Sequence, residues 1–93
     1  MLVFTRHARV RCAQRAIPHD AVEATLAWGR EYAQPSRHAV YFLGRRQVDT
    51  AARLGVNVGR FENTAIVFSQ DGVVVTAIRT RSPRRFRPRR QLR

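Results

Sequence analysis

The chain has 93 residues, 44% of them apolar, which allows one hydrophobic core and leaves too little for two domains. Its formal net charge is +12, from eighteen arginines, no lysine and six carboxylates, and such a balance points to nucleic acid or an acidic protein as partner. No stretch approaches the roughly 18 apolar residues of a membrane span. The opening Met1-Leu2-Val3-Phe4 is too short for a secretory leader, so a cytoplasmic location and no membrane partner are expected.

Thr5 can cap a first helix running from His7 to Arg15, with Ala8, Cys12 and Ala16 on one face. His7, Arg11 and Arg15 follow at i, i+4 and i+8 and share a second face. Cys12 is the sole cysteine, so no internal disulfide can form, and its setting reads as a buried helix position. Ile17-Pro18 breaks the run near Ala16. A second helix is expected from His19 to Trp28, with Asp20 and Glu23 at capping-box-like spacing, Val22 and Leu26 as its apolar stripe, Thr25 beside them, and Gly29 as its C′ stop.

Strands follow. Arg30 to Gln34 can form a short one, Pro35-Ser36-Arg37 a turn, and His38 to Leu43 a better strand, rich in β-branched and aromatic residues, that Gly44 ends. Arg45 to Leu54 returns to helical character, with Val48, Ala51, Ala52 and Leu54 as its apolar positions, and Gly55 and Gly59 mark the exit loop. Two apolar runs, Ala65 to Ser69 and Val73 to Ile78, flank Gln70-Asp71-Gly72, a strong hairpin signal. Both runs are apolar on both faces and should lie centrally in the sheet.

From Arg79 to Arg93 the composition changes. Eight arginines and no acid fall there, so two-thirds of the net charge sits in the last 15 residues. Pro83 and Pro88 argue against a regular element. The expected organisation is a single domain over residues 1–81 and a flexible basic tail over 82–93. The order α-α-β-β-α-β-β implies an α+β fold, a helical hairpin covering one face of an antiparallel sheet.

Several chemistries are absent from the pattern. There is no nucleotide-cradling glycine loop, and His7, His19 and His38 are too scattered to suggest a metal site, so neither cofactor nor metal is expected. What remains is histidine and arginine on a basic scaffold. Metal-independent RNA cleavage needs a base for the 2′-hydroxyl, an acid for the leaving oxygen and cations for the crowded phosphorane. Histidine can serve in both proton roles, and arginine can hold the developing charge. His7 and His38 are candidates for proton transfer and Arg11 for holding the phosphate, the alternative readings being a helix-surface histidine, a turn-edge histidine and a solvated basic face.

The run from Thr5 to Pro18 resembles the opening motif of the DUF4258 family, a His-Ala-x-x-Arg helix followed by an Arg-Gly-Ile-Ser turn. Tyr41 to Arg46 and the Asp71 to Thr76 hairpin are similar to later parts of it, so the resemblance covers roughly residues 4 to 81. His7 and Arg11 match the motif's His and Arg, and Arg15 and Ile17 match the turn, where Ala16 replaces the usual Gly and Pro18 the usual Ser. The resemblance implies a RelE/barnase-like fold, kinship with BrnT-type toxin ribonucleases, and an acidic antitoxin-like partner. In relatives of that fold a polar residue of the last strand often completes the site, and Thr76, Arg79 and Thr80 are the candidates here.

Arg15, Arg45 and Arg46 are expected to grip phosphate, and Tyr41 to stack a base or lend its hydroxyl. Arg81, Arg84, Arg85 and Arg87 extend the surface along the tail, with Phe86 as an isolated stacking group. The leading expectation is an RNA-binding, toxin-like endoribonuclease. A non-catalytic nucleic-acid-binding module, or an interaction protein for an acidic partner, is the alternative.

Overall fold

A computed structural model describes residues 2–35 and 37–86 of the chain. Its elements in chain order are β1 (Val3–Phe4), α1 (Arg6–Gln14), α2 (His19–Trp28), β2 (Arg30–Gln34), β3 (His38–Leu43), α3 (Arg45–Arg53), β4 (Thr64–Ser69) and β5 (Val73–Arg79), with 3₁₀ turns at Gly59–Phe61 and Pro83–Phe86. The five strands form one sheet in the order β1-β5-β4-β3-β2. The architecture is α+β, with the helices packed against the sheet.

The sheet is mixed, where an antiparallel one was expected. β2 to β5 form an antiparallel meander, but Val3 and Phe4 add a parallel strand, Val3 opposite Val73 and Phe4 opposite Val74. Two residues carry too little periodicity to be read as a strand. Their pairing depends on the chain reaching β5, and the Thr5 N–H continues it with a hydrogen bond to the Val74 carbonyl (3.0 Å).

α1 ends in a Schellman arrangement. The Ile17 N–H donates to the Cys12 carbonyl (2.9 Å) and the Ala16 N–H to that of Ala13 (3.4 Å). Ala16 therefore takes the left-handed position, at φ 52°. It is exposed rather than aligned with the buried face, while Ile17 turns inward and is buried. Cys12 is half-buried, short of the full burial expected, and desolvation raises its thiol pKa.

α2 has the expected bounds and different ends. Pro18 is its N-cap, in an extended conformation and with no side-chain cap, so the Asp20/Glu23 capping box does not form. Gly29 is the C-cap and is also extended, at φ −68°. A left-handed stop is not what requires glycine there. A Cβ at Gly29 would stand 2.4 Å from the Thr25 carbonyl oxygen and 3.1 Å from that of Phe42. α3 does end in a left-handed glycine, Gly55 at φ 84°. Of its expected apolar positions Ala51 is buried and Val48 half-buried, whereas Ala52 is exposed and Leu54, at the C-cap, is 68% exposed.

The two sheet faces are covered differently. Ala8, Ile17, Ala21 and Val22 of the helices meet Ile66, Val74 and Ala77, and Leu43 packs with Ala51 and Val58. On the other face Tyr32, Val40, Phe42 and Ala65 gather around Phe86, which is only 6% exposed. The 3₁₀ turn Pro83–Phe86 thus lies past the expected boundary at residue 81 and packs on the sheet. Phe86 is a core residue and not an isolated stacking group. Its backbone carbonyl also accepts a hydrogen bond from the Gln34 side-chain amide. The rest of the expected tail, residues 87–93 with Arg87 among them, lies outside the described residues.

Candidate nucleic-acid interface

β3 delivers the chain into α3 at Gly44, and this junction builds the most basic cleft. A Cβ on Gly44 would stand 2.7 Å from the Phe42 ring and 3.0 Å from Gln47 Oε1, so glycine lets the helix start hard against the sheet. Gln47 Oε1 accepts the Gly44 N–H (3.0 Å). The first backbone hydrogen bond of α3 runs from the Val48 N–H to the Gly44 carbonyl (3.0 Å), so the N–H groups of Arg45, Arg46 and Gln47 have no acceptor within the helix. They add to a positive helix end.

Around that end lies a cleft of about 350 Å³ whose lining includes Arg30, Arg45, Arg46 and Arg81, with one carboxylate, Glu62. Tyr32 and Phe42 form its apolar base and Pro83 part of its wall. Arg30 and Tyr32 alternate along β2 and so share a face, and the Arg30 guanidinium lies 5.1 Å from the centre of the Tyr32 ring. Asn63 ties the strand ends together. Its N–H donates to the Leu43 carbonyl (2.7 Å), and its carbonyl accepts from the Thr80 N–H (2.9 Å). It does so at φ 72°, a conformation that asparagine tolerates. This backbone tie sets Arg81 beside α3.

Two further clefts adjoin the first. One is lined by Glu62, Asn63, Arg79, Thr80 and Arg81, and the next by Arg15, Ile78, Arg79 and Arg85. Arg15 and Arg79 also hold the fold together. Arg15 Nη1 donates to the Ala77 carbonyl (2.7 Å). Arg79 Nε and Nη2 donate to the carbonyls of Arg15 (3.3 Å) and Ala16 (2.7 Å) at the end of α1. The one contact between a basic nitrogen and a carboxylate within 4 Å among the described residues joins His19 Nδ1 and Glu23 (3.8 Å). No arginine there is neutralised by a carboxylate.

The histidines lie elsewhere. His38 opens β3 at the end opposite Gly44, roughly 20 Å away along the strand. It lines a cleft with Glu31, Arg37, Tyr41 and Ser69. Tyr41 packs edge-on against Phe68, and its phenol pKa is raised by burial first and by Glu31 second. His7 is exposed near the start of α1, two residues after Thr5, which bonds the Val74 and Val75 carbonyls of β5, and lines none of these clefts. Arg11 donates to Gln14 (3.2 Å). The stripe of His7, Arg11 and Arg15 thus exists as a helix face, but the arginines gather at one end of the sheet and His7 and His38 stand towards the other. Thr76, opposite Val67 in mid-sheet, and Arg84, exposed in the last 3₁₀ turn, line none of the arginine clefts.

Arg30, Tyr32, Glu62 and Asn63 escape the sequence reading. The alternation of Arg30 and Tyr32 was visible in the chain, but their neighbourhood with α3 comes from the pairing of Arg30 with Phe42. His19, Asp20 and Glu23 bring their ligand atoms within 4.8 Å of one another. All three are exposed on the first turn of α2, where the helix end disfavours a cation.

Comparison of the chain with protein families, with curated proteins and with solved structures finds no match.

Proposed function

We propose that this chain binds RNA, with the cleft at the start of α3 as its phosphate-gripping centre. The observation that carries this reading is the convergence of Arg30, Arg45, Arg46 and Arg81 on one cleft that contains a single carboxylate. Guanidinium groups without acidic partners keep their donors for an incoming phosphate, and the unaccepted N–H groups of the α3 turn point to the same ligand. The helices packed on the sheet support reading the fold as a RelE/barnase-like variant.

The test is fluorescence anisotropy of the whole chain with a labelled single-stranded RNA. The double variant Arg45→Gln/Arg46→Gln is expected to weaken binding on the order of tenfold to a hundredfold, since charge-assisted contacts carry about 1.5–3 kcal/mol each before solvent screening. Unchanged affinity would overturn the reading.

Cleavage with His7 as its acid or base is the rival, and the separation of the histidines from the arginine cleft favours binding over it. A host expressing the wild-type chain is expected to grow like one expressing His7→Ala, with total RNA intact in both. Growth arrest and RNA fragmentation confined to the wild type would restore the toxin reading and its antitoxin-like partner.

A further inference from the structure

The three arginine clefts share residues. Arg81, Glu62 and Asn63 line both the first and the second, and Arg79 lines both the second and the third. They form one track across the end of the sheet, from the start of α3 to the exposed side of β5. It begins at Arg30, Arg45 and Arg46, passes Arg81 and Arg79, and ends at Arg15 and Arg85. Glu62 is the one carboxylate along it.

Each end of this track carries an arginine laid over an aromatic ring. Arg30 covers Tyr32 at 5.1 Å, and Arg85 covers Phe86 at 5.6 Å. Both rings are almost wholly buried and both arginines are exposed. Each ring is held by the same cluster on the open face of the sheet, with Val40, Phe42 and Ala65. Each guanidinium is therefore steadied on one side by a fixed ring and, being exposed, still reaches solvent. A flat cation in that state is a stacking platform for a nucleobase.

From this we infer that the ligand of the site is a single strand, its phosphates following the arginine track and two of its bases stacking on Arg30 and Arg85. This rests on the RNA-binding reading and adds the strandedness and the base contacts to it. A duplex has its bases stacked on each other and cannot offer their faces, and an acidic peptide has no bases to offer. Stacking on both platforms requires a segment on the order of four nucleotides or more.

The test uses the full chain and charge-conserving variants. Arg30→Lys and Arg85→Lys keep the positive charge and lose the planar face. Anisotropy is read with an eight-nucleotide single-stranded RNA, with the same sequence as a duplex, and with poly-glutamate as competitor. Wild type is expected to prefer the single strand at least tenfold. Each Lys variant is expected to lose about fivefold to a hundredfold on the single strand and clearly less on the duplex, where only the phosphate contact of the guanidinium is disturbed. Circular dichroism melting checks that the variants fold.

If both Lys variants bind the single strand as wild type does, while Arg45→Gln/Arg46→Gln still weakens it, the stacking inference falls and the phosphate cleft stands. If the Gln variants also have no effect, the RNA-binding reading falls with it. Poly-glutamate competing as well as RNA would overturn both in favour of an acidic protein partner.

Discussion

Ala16 occupies a backbone position that glycine fills at no steric cost. Its φ of 52° follows from the Schellman end of α1, and an L-residue held there is strained by about 1–2 kcal/mol. Part of the relief from removing that side chain is offset by the greater freedom of glycine in the unfolded chain. Ala16→Gly is therefore expected to stabilise the fold by roughly 0.5–1 kcal/mol, read from urea unfolding midpoints. That a residue other than glycine stands at position 16 was legible in the chain, but its strain was not, because only the hydrogen bonds of Ile17 and Ala16 show which residue takes the left-handed turn. Arg79 acts at the same place from the other side. Its side chain donates to two carbonyls at the end of α1, where a cation is favoured. Arg79→Met should lower stability by about 1 kcal/mol, a figure kept small because the group is exposed.

Among the elements, the ones with strong local signals were legible. α2 and β3 carry the bounds expected from proline, glycine and periodicity. The Asp71-Gly72 hairpin forms with Gly72 at φ 85°. The three missed elements, β1 and the two 3₁₀ turns, are short, and two of them are held by something distant in sequence. β1 exists because β5 offers it a free edge. The Pro83–Phe86 turn exists because Phe86 finds an uncovered apolar patch on the far side of the sheet. A chain ending after Phe86 keeps that turn and serves as the reference. Ending it after Arg81 should expose the Tyr32 and Phe42 cluster and cost about 1.5–3 kcal/mol, the burial term of one large side chain. Equal stability of the two truncations would show that the turn adds nothing to the fold. Close approach decides Gly29, where any Cβ meets the Thr25 carbonyl. Gly29→Ala is expected to lower stability by about 1–3 kcal/mol, measured by thermal unfolding.

For the whole molecule the decisive feature is how the charges are distributed. Sequence places two-thirds of the net charge in the last 15 residues, and the tail was expected to extend the phosphate-binding surface. The structure gathers three arginines of that segment, Arg79, Arg81 and Arg85, with Arg15, Arg30, Arg45 and Arg46 at the end of the sheet. If a strand lies on about six of these arginines, counterion release makes binding steeply salt-dependent. Affinity is then expected to fall on the order of several hundredfold between about 50 and 200 mM salt. A flat salt response in the anisotropy titration would contradict the track.

The sequence by itself determined the charge, the arginine-only chemistry, the α+β class and most element bounds. These depend on composition and on patterns within some ten residues. It also named Arg45, Arg46 and Arg81. The tertiary structure decided that these three meet Arg30 and Tyr32 in one cleft, that Arg15 and Arg79 are partly engaged with carbonyls, and that His7 and His38 stand apart from the arginines. The reason is that strand register and the side of the sheet on which a helix packs are set by pairing and burial between distant segments. A site made from four such segments has no local pattern to read.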